Sequence, residues 1–223
     1  GKLLGDFVRY GTSGNHPAER GVARFEGHSD GNPVGKVVQK VPKYDRPRHG
    51  RPVLKVESAK ERVLGINPWI QVDVIDAHAD DQNVDEAVAS AQCVADCTDR
   101  FATRFLANRL ALKHQVPTVS AAALGVEGQL TTIDPRDRDN PCYACLIPDV
   151  PEVEPTCAET GVLGPVVGTL GTLQAVEVLG VLMGWSDRLV GRLMRFNAGT
   201  MEWKSFRYRK DPACSVCGSA AEL

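Results

Sequence analysis

Four cysteines stand in two Cys-x-x-Cys pairs, Cys142-Tyr143-Ala144-Cys145 and Cys214-Ser215-Val216-Cys217. That spacing sets two sulfurs on one tight turn, as tetrahedral Zn²⁺ requires at about 2.3 Å per Zn–S bond. Four thiolates close such a site, so Cys142, Cys145, Cys214 and Cys217 are expected to bind one structural zinc ion. The gap between the pairs is about seventy residues, so the metal would tie the end of the chain back to its middle. A dithiol redox site would need one pair and a suitable fold around it, and an iron–sulfur cluster draws on the same ligands.

A second stretch with chemical content is Asp96-Cys97-Thr98-Asp99. It follows the apolar pair Val94-Ala95 and precedes Phe101, Phe105, Leu106 and Leu110, which lie at helical spacing. The motif therefore falls where a buried strand ends and a helix begins, and ligands of open α/β sheets bind at that edge. A carboxylate there can hold Mg²⁺ beside phosphates. The plainer reading is that Thr98 or Asp99 only caps the helix. Cys93 and Cys97, on or next to the strand, read as inert core thiols.

The elements that must position these residues begin at Lys55. Val56, Ala59, Val63 and Leu64 mark a helix ended by Gly65 and the Asn67-Pro68 turn, and Ile70, Val72 and Val74 alternate as a strand does. Asp85 to Ser90 reads as helix, and Val116 to Ala123 and Gln129 to Ile133 read as strands. Strands separated by helices imply right-handed crossovers and a mostly parallel sheet. Leu189 to Phe196 and Met201 to Tyr208 read instead as an antiparallel hairpin. Gly161 to Gly184 approaches the length of a membrane span, but Pro165, Gln174 and Glu177 interrupt it, so it is expected to fill a soluble core.

Residues 1–50 differ in texture. They carry many Gly, Pro and charged residues, with more Lys and Arg than Asp and Glu, and no long apolar run. The stretch reads as an atypical, loop-like or disordered segment, either a solvated tail or a basic arm for an acidic partner. The 223-residue chain has a formal charge of −2 and seven cysteines. Near-neutrality gives no reason to expect nucleic acid or a membrane surface as partner. An odd cysteine count with two metal-type pairs fits a reducing compartment, and no signal peptide is read at the start, so the cytoplasm is expected.

Five motifs in order carry a resemblance: Asp96-Cys97-Thr98-Asp99-Arg100-Phe101-Ala102-Thr103-Arg104, then Ala122 to Gln129, Pro141 to Cys145, Cys157 to Gly168, and Asp211 to Cys217. From about residue 49 to residue 217 the chain closely resembles the MoeB/ThiF group of ubiquitin-activating-like adenylyltransferases. The resemblance implies a Rossmann-like, doubly wound α/β domain over 51–223 with an antiparallel, zinc-pinned C-terminal extension. It also implies a reaction: the C-terminal glycine of a ubiquitin-like sulfur carrier of molybdopterin or thiamine biosynthesis attacks MgATP, giving an acyl-adenylate. Asp99 then matches the family's Mg-ATP aspartate, Lys55 its phosphate-binding lysine, and Arg104 an arginine near the carrier's tail. Cys157 matches a cysteine that some members use for a transient thioester or acyl-disulfide and others do without; an idle thiol is the alternative. A homodimer is implied as well.

The chain departs from that pattern at its start. The family's opening strand, Gly-x-Gly-x-x-Gly turn and helix, whose amides hold ATP phosphates, has no counterpart, because no glycine from Gly11 to Gly50 takes that spacing after an apolar strand. Val53 and Leu54 intervene before Lys55-Val56-Glu57-Ser58, and Arg100 replaces the usual asparagine. Three readings fit: a stretch translated out of frame, a relative that no longer binds ATP, or an unfamiliar segment that rebuilds the site. Without the first unit the sheet is expected to lose its centre. The rival to the enzyme is therefore a non-catalytic, zinc-stabilised protein that keeps the carrier or dimer surface.

Overall fold

Successive side chains of an extended strand point to opposite faces, and in the strand Cys93–Asp96 all four are buried, so both faces are covered. The computed structural model, which describes residues 20–29, 32–42, 44–48, 51–77, 79–148 and 160–218, shows what covers them. Val94 lies among Val84, Val88, Leu106 and Leu110 on one side. Cys93 and Ala95 lie among Val119, Leu130, Val166 and Leu170 on the other.

The strands are β1 (Arg20–Ser29), β2 (Asn32–Pro42), β3 (Tyr44–Arg48), β4 (Arg51–Leu54), β5 (Ile70–Ile75), β6 (Cys93–Asp96), β7 (Thr118–Leu124), β8 (Glu127–Ile133), β9 (Arg192–Asn197) and β10 (Glu202–Arg207). The helices are α1 (Lys55–Ile66), α2 (Asp85–Ala89), α3 (Phe101–His114), α4 (Tyr143–Leu146) and α5 (Gly164–Leu182). Eight strands form one sheet in the order β10-β9-β8-β7-β6-β2-β1-β5, and β3 and β4 pair as a separate ribbon. The result is a mixed sheet between helices, an α/β fold.

Among the described strands, parallel pairing is confined to the centre, β2 with β6 and β6 with β7, with two isolated parallel bridges, Gly125 to Val162 and Thr132 to Val190, outside those ladders. The expected mostly parallel sheet therefore holds only there. The reason lies in the connections: Leu124 pairs with Glu127, so only Gly125 and Val126 join β7 to β8, and so short a link permits only an antiparallel hairpin. Gly125 takes φ +58° in this turn, which glycine adopts without strain. From β7 to β10 each described strand pairs antiparallel with the next, the extension expected from the C-terminal hairpin. Strand β10 closes this end of the sheet, and all six of its residues are exposed.

The segment read as loop-like also differs. Residues 20–48 contribute β1, β2 and β3, and β2 takes the place beside β6, so the sheet's centre is filled. Val34, Val37, Val38 and Val41 favour a strand. Asp30-Gly31, between the paired residues Ser29 and Asn32, is a two-residue hairpin signal. Residues 1–19 lie outside the described residues.

Helix α5 is long and apolar enough to cross a membrane by length and composition, yet half of it is buried inside the protein. It packs against β6, β7 and β8, burying Val166, Val167, Leu170, Val178 and Val181 and exposing Val176, Leu179 and the C-cap residue Met183. Its buried acid, Glu177, accepts hydrogen bonds from Thr132 Oγ1 (2.9 Å) and the Leu189 N–H and pairs with Arg188 at 3.1 Å. Gly180 gives the guanidinium its room, since a Cβ there would lie 1.8 Å from Arg188 Nη1. Removing one partner of a buried pair leaves the others without compensation. Glu177→Ala should therefore destabilise the protein by about 3 kcal/mol. In urea denaturation this would appear as a lower midpoint at an unchanged m-value, and a wild-type midpoint would show that the pair contributes nothing.

Candidate functional site

The C-terminal end of β6 is polar but buried, so each group there needs a partner. Asp96 accepts the Thr98 N–H at Oδ1 (3.0 Å) and the Ser120 hydroxyl at Oδ2 (2.8 Å). Gln174, 1 % exposed on α5, donates from Nε2 to the carbonyls of Asp96 and Val119, each at 2.9 Å, and so ties the adjacent strands β6 and β7. Its Oε1 accepts the Cys97 thiol at 3.1 Å. The other strand thiol, Cys93, is pushed up to about 12 by burial, as an inert core cysteine should be.

Arg104, one turn into α3, folds back over this motif. Its Nε and Nη2 donate to the Thr98 carbonyl at 3.1 and 2.7 Å, its Nη1 lies 3.5 Å from the Tyr143 hydroxyl, and its guanidinium stands over the Phe101 ring. Burial works against its charge, but Asp96, Tyr143 and Asp99 outweigh that and hold its pKa above the ordinary value. Helix α3 starts after Arg100, so the N-cap position falls on Arg100, which makes no side-chain cap bond, and not on Thr98 or Asp99. Asp99 is exposed, and with Arg104 it lines a cavity of about 220 Å³ whose far wall includes Ala122, Glu127, Gln129 and Arg195.

A second constellation lies at the short helix α4, whose N-cap is Cys142. The four cysteine sulfurs lie within 4.8 Å of one another. Cys142 stands 3.9 Å from Cys145 and 3.8 Å from Cys214, and Cys145 stands 3.4 Å from Cys217. These separations are far beyond a disulfide bond of about 2.05 Å, and the sulfurs can converge on one metal ion. Burial pushes the Cys142 thiol up to about 11. At Cys214 burial also opposes the thiolate, but hydrogen bonds from the backbone of Cys217 and Val216 and from neighbouring thiols outweigh it and lower the pKa. The Asp211 N–H points to Cys145 Sγ at 3.5 Å, and the Tyr143 N–H donates to Asn108 Oδ1 at 2.9 Å. Gly218 closes the second turn through a bond from its N–H to the Cys214 carbonyl. A Cβ there would lie 2.5 Å from the carbonyl oxygens of Cys214 and Pro212.

The structure thus brings Asp99 and Arg104 to one cavity and the four cysteines to one point. Lys55 opens α1 immediately after β4, and its side chain lies outside what is described. Cys157 falls among residues 149–159, also outside the described residues. Sequence reasoning missed Asn108, Tyr143 and Gln174 as parts of these sites, and it singled out the motif that contains Asp96 without giving that residue a role of its own. A polar residue inside an apolar run, as Gln174 is, was the available signal.

The model of the ThiF family matches residues 44–216. The chain belongs to the ThiF family. It is 42% identical over 166 residues to the SAMP-activating enzyme E1 of Haloferax volcanii, covering 74% of this chain and 60% of that protein. It is 37% identical over 164 residues to the molybdopterin-synthase adenylyltransferase of Escherichia coli, covering 74% of this chain and 66% of that protein. The sulfur carrier protein ThiS adenylyltransferase of the same organism is also 37% identical, over 166 residues, with coverage of 74% and 65%. The chain therefore spans less than two thirds of the length of these relatives. Among solved structures, E. coli MccB aligns with a TM-score of 0.64 at 18% identity, over 80% of this chain and 54% of that one. At that identity the likeness concerns the fold alone. It supports an α/β reading of this ThiF-family chain.

Proposed function

We propose that this ThiF-family protein adenylylates the C-terminal glycine of a ubiquitin-like sulfur carrier of the molybdopterin or thiamine type. The observation that carries the reading is the cavity bounded by Asp99 and Arg104 at the C-terminal end of β6, in a chain similar to named adenylyltransferases over 74% of its length. A carrier carboxylate oxygen attacks the α-phosphorus of ATP, the bond to the β-phosphate oxygen breaks, and pyrophosphate leaves with that electron pair. Asp99 would hold Mg²⁺, which supplies charge neutralisation to the phosphates. Lys55 would contact the phosphates, and Arg104 would stand beside the carrier's tail and hold it in line. Cys157 would act after this step, as acceptor of the acyl group.

The four-cysteine cluster is assigned to zinc. A tetrahedron with bonds of about 2.3 Å has edges of about 3.8 Å, in keeping with three separations of 3.4 to 3.9 Å in a cluster whose sulfurs all lie within 4.8 Å of one another. Residues 51–223 are taken as the adenylyltransferase domain and 1–50 as its atypical N-terminal segment, of which β1 and β2 join the sheet. The cytoplasm is its proposed compartment. The exposed apolar stripe Val176, Leu179 and Met183 on α5 and its C-cap is proposed as part of a symmetric homodimer contact.

A second reading, a zinc-stabilised protein that binds the carrier without activating it, is favoured by one observation. Strand β2 ends at Pro42 and β3 begins at Tyr44, so β2 leads into a strand and not into a helix whose N-terminus could receive phosphate.

Exchange of labelled pyrophosphate into ATP separates the two. The enzyme should exchange only with carrier present, Asp99→Ala should abolish exchange, and Cys157→Ser should leave it intact. Carrier binding without exchange would favour the second reading. Metal analysis should find about one zinc per chain. Cys214→Ser should lose both the zinc and thermal stability, whereas an iron–sulfur absorption band would refute zinc. Light scattering at micromolar concentration should give about twice the chain mass of 24.1 kDa, and a monomer mass throughout would remove the dimer.

A further inference from the structure

Tyr143 is the first of the two residues between Cys142 and Cys145, and it is buried at 3% exposure. Three side chains of α3 meet it. Asn108 Oδ1 accepts its backbone N–H at 2.9 Å, the Phe105 ring stands edge-on to its ring with centroids 5.5 Å apart, and Arg104 Nη1 lies 3.5 Å from its hydroxyl. Residues 104, 105 and 108 share one face of a helix by spacing. A single residue of the cysteine turn is therefore gripped by the helix face that also carries the cavity's arginine.

The guanidinium of Arg104 is fixed from two sides. Nε and Nη2 both reach the Thr98 carbonyl, which sets one edge but leaves the plane free to pivot about that oxygen. The Tyr143 hydroxyl at Nη1 supplies the second point. Arg104 is only 7% exposed, and an unmet guanidinium N–H in the interior is costly. The position of the phenol in turn depends on the turn that carries it, and Cys142 and Cys145 bound that turn on both sides.

We propose that Tyr143 is a positioning residue through which the four-cysteine site sets the orientation of Arg104, so that metal occupancy is felt at the cavity shared with Asp99. The consequence for activity rests on the reading of Arg104 as a contact of the carrier's tail; the coupling itself does not. The metal site on this account does more than tie the chain's end to its middle. It pre-orients a group of the reaction cavity, and weakening it loosens that group before the protein unfolds.

The test uses the full chain with its metal. The Arg104 Nε–H, held by the Thr98 carbonyl, is followed by ¹⁵N NMR as its hydrogen exchange rate. Tyr143→Phe keeps the ring against Phe105 and removes only the hydroxyl, so metal content should stay as in the wild type. Exchange at Arg104 should accelerate by about three- to tenfold, the equivalent of one hydrogen bond of ordinary net strength. Stripping the metal with a chelator should accelerate it further. Binding of fluorescently labelled ThiS carrier protein, read by anisotropy, should weaken by a similar factor in Tyr143→Phe. A wild-type exchange rate in Tyr143→Phe would overturn the proposal even if the stripped protein unfolds. Accelerated exchange in a metal-replete variant supports it whether or not the carrier binds. Failure of the wild type to bind any carrier would count against Arg104 as a tail contact and leave the coupling standing.

Discussion

Asp96 and Arg104 are opposite charges kept almost out of water, and the arrangement around β6 follows from the need to satisfy both. Coulomb attraction alone does not offset the loss of hydration. Each group is therefore bonded to fixed backbone: Asp96 to the Thr98 N–H, Arg104 to the Thr98 carbonyl. One peptide neighbourhood serves both ions, so the loop from β6 to α3 has little freedom to take another path. Ser120 from β7 and Gln174 from α5 complete the set. The cavity inherits its inner wall from these contacts.

The long apolar helix acquires its role from its two buried polar residues. Gln174 clips β6 to β7, and one turn later Glu177 binds Thr132 of β8 and the Leu189 backbone ahead of β9. Apolar packing alone would hold α5 against the sheet at many rotations and translations. Directional bonds to four separate segments permit one. Leu170 adds a steric limit, since a Cβ at Gly128 would lie 2.2 Å from its Cδ1. The register of the helix over the sheet is thus set by hydrogen bonds and by one missing methyl group, within a contact whose strength comes from apolar area.

Much of this was legible in the sequence where the signal was local. Val56 to Leu64, Ile70 to Val74 and Phe101 to Leu110 announce their elements by period, and α1, β5 and α3 form there. The cysteine pairs announce a common site by spacing, and the four sulfurs meet. Non-local choices were harder. Whether Gln129 to Ile133 pairs parallel or antiparallel depends on the two residues Gly125 and Val126, whose brevity outweighs any strand propensity. In residues 20–48 the charged and glycine-rich composition hid a valine pattern, and composition describes solvation better than it describes pairing. The partners of Arg104 were not legible, because Tyr143 lies 39 residues away in sequence and no local pattern links the two. For Lys55 and Cys157 the described residues give no side-chain placement to compare with the expectation.

The fold ends on an open edge. Among the described residues, strand β10 pairs only with β9, and all six of its residues are exposed. Such an edge invites further strands, and flat apolar edges add copies without limit. Here Glu202, Lys204 and Arg207 interrupt Trp203 and Phe206, and another strand laid against β10 would have to strip water from those charges. Edge-to-edge polymerisation is thereby opposed by hydration, and the colloidal stability of a concentrated solution depends on the strand whose Lys204 pairs with Arg195 at the cavity wall.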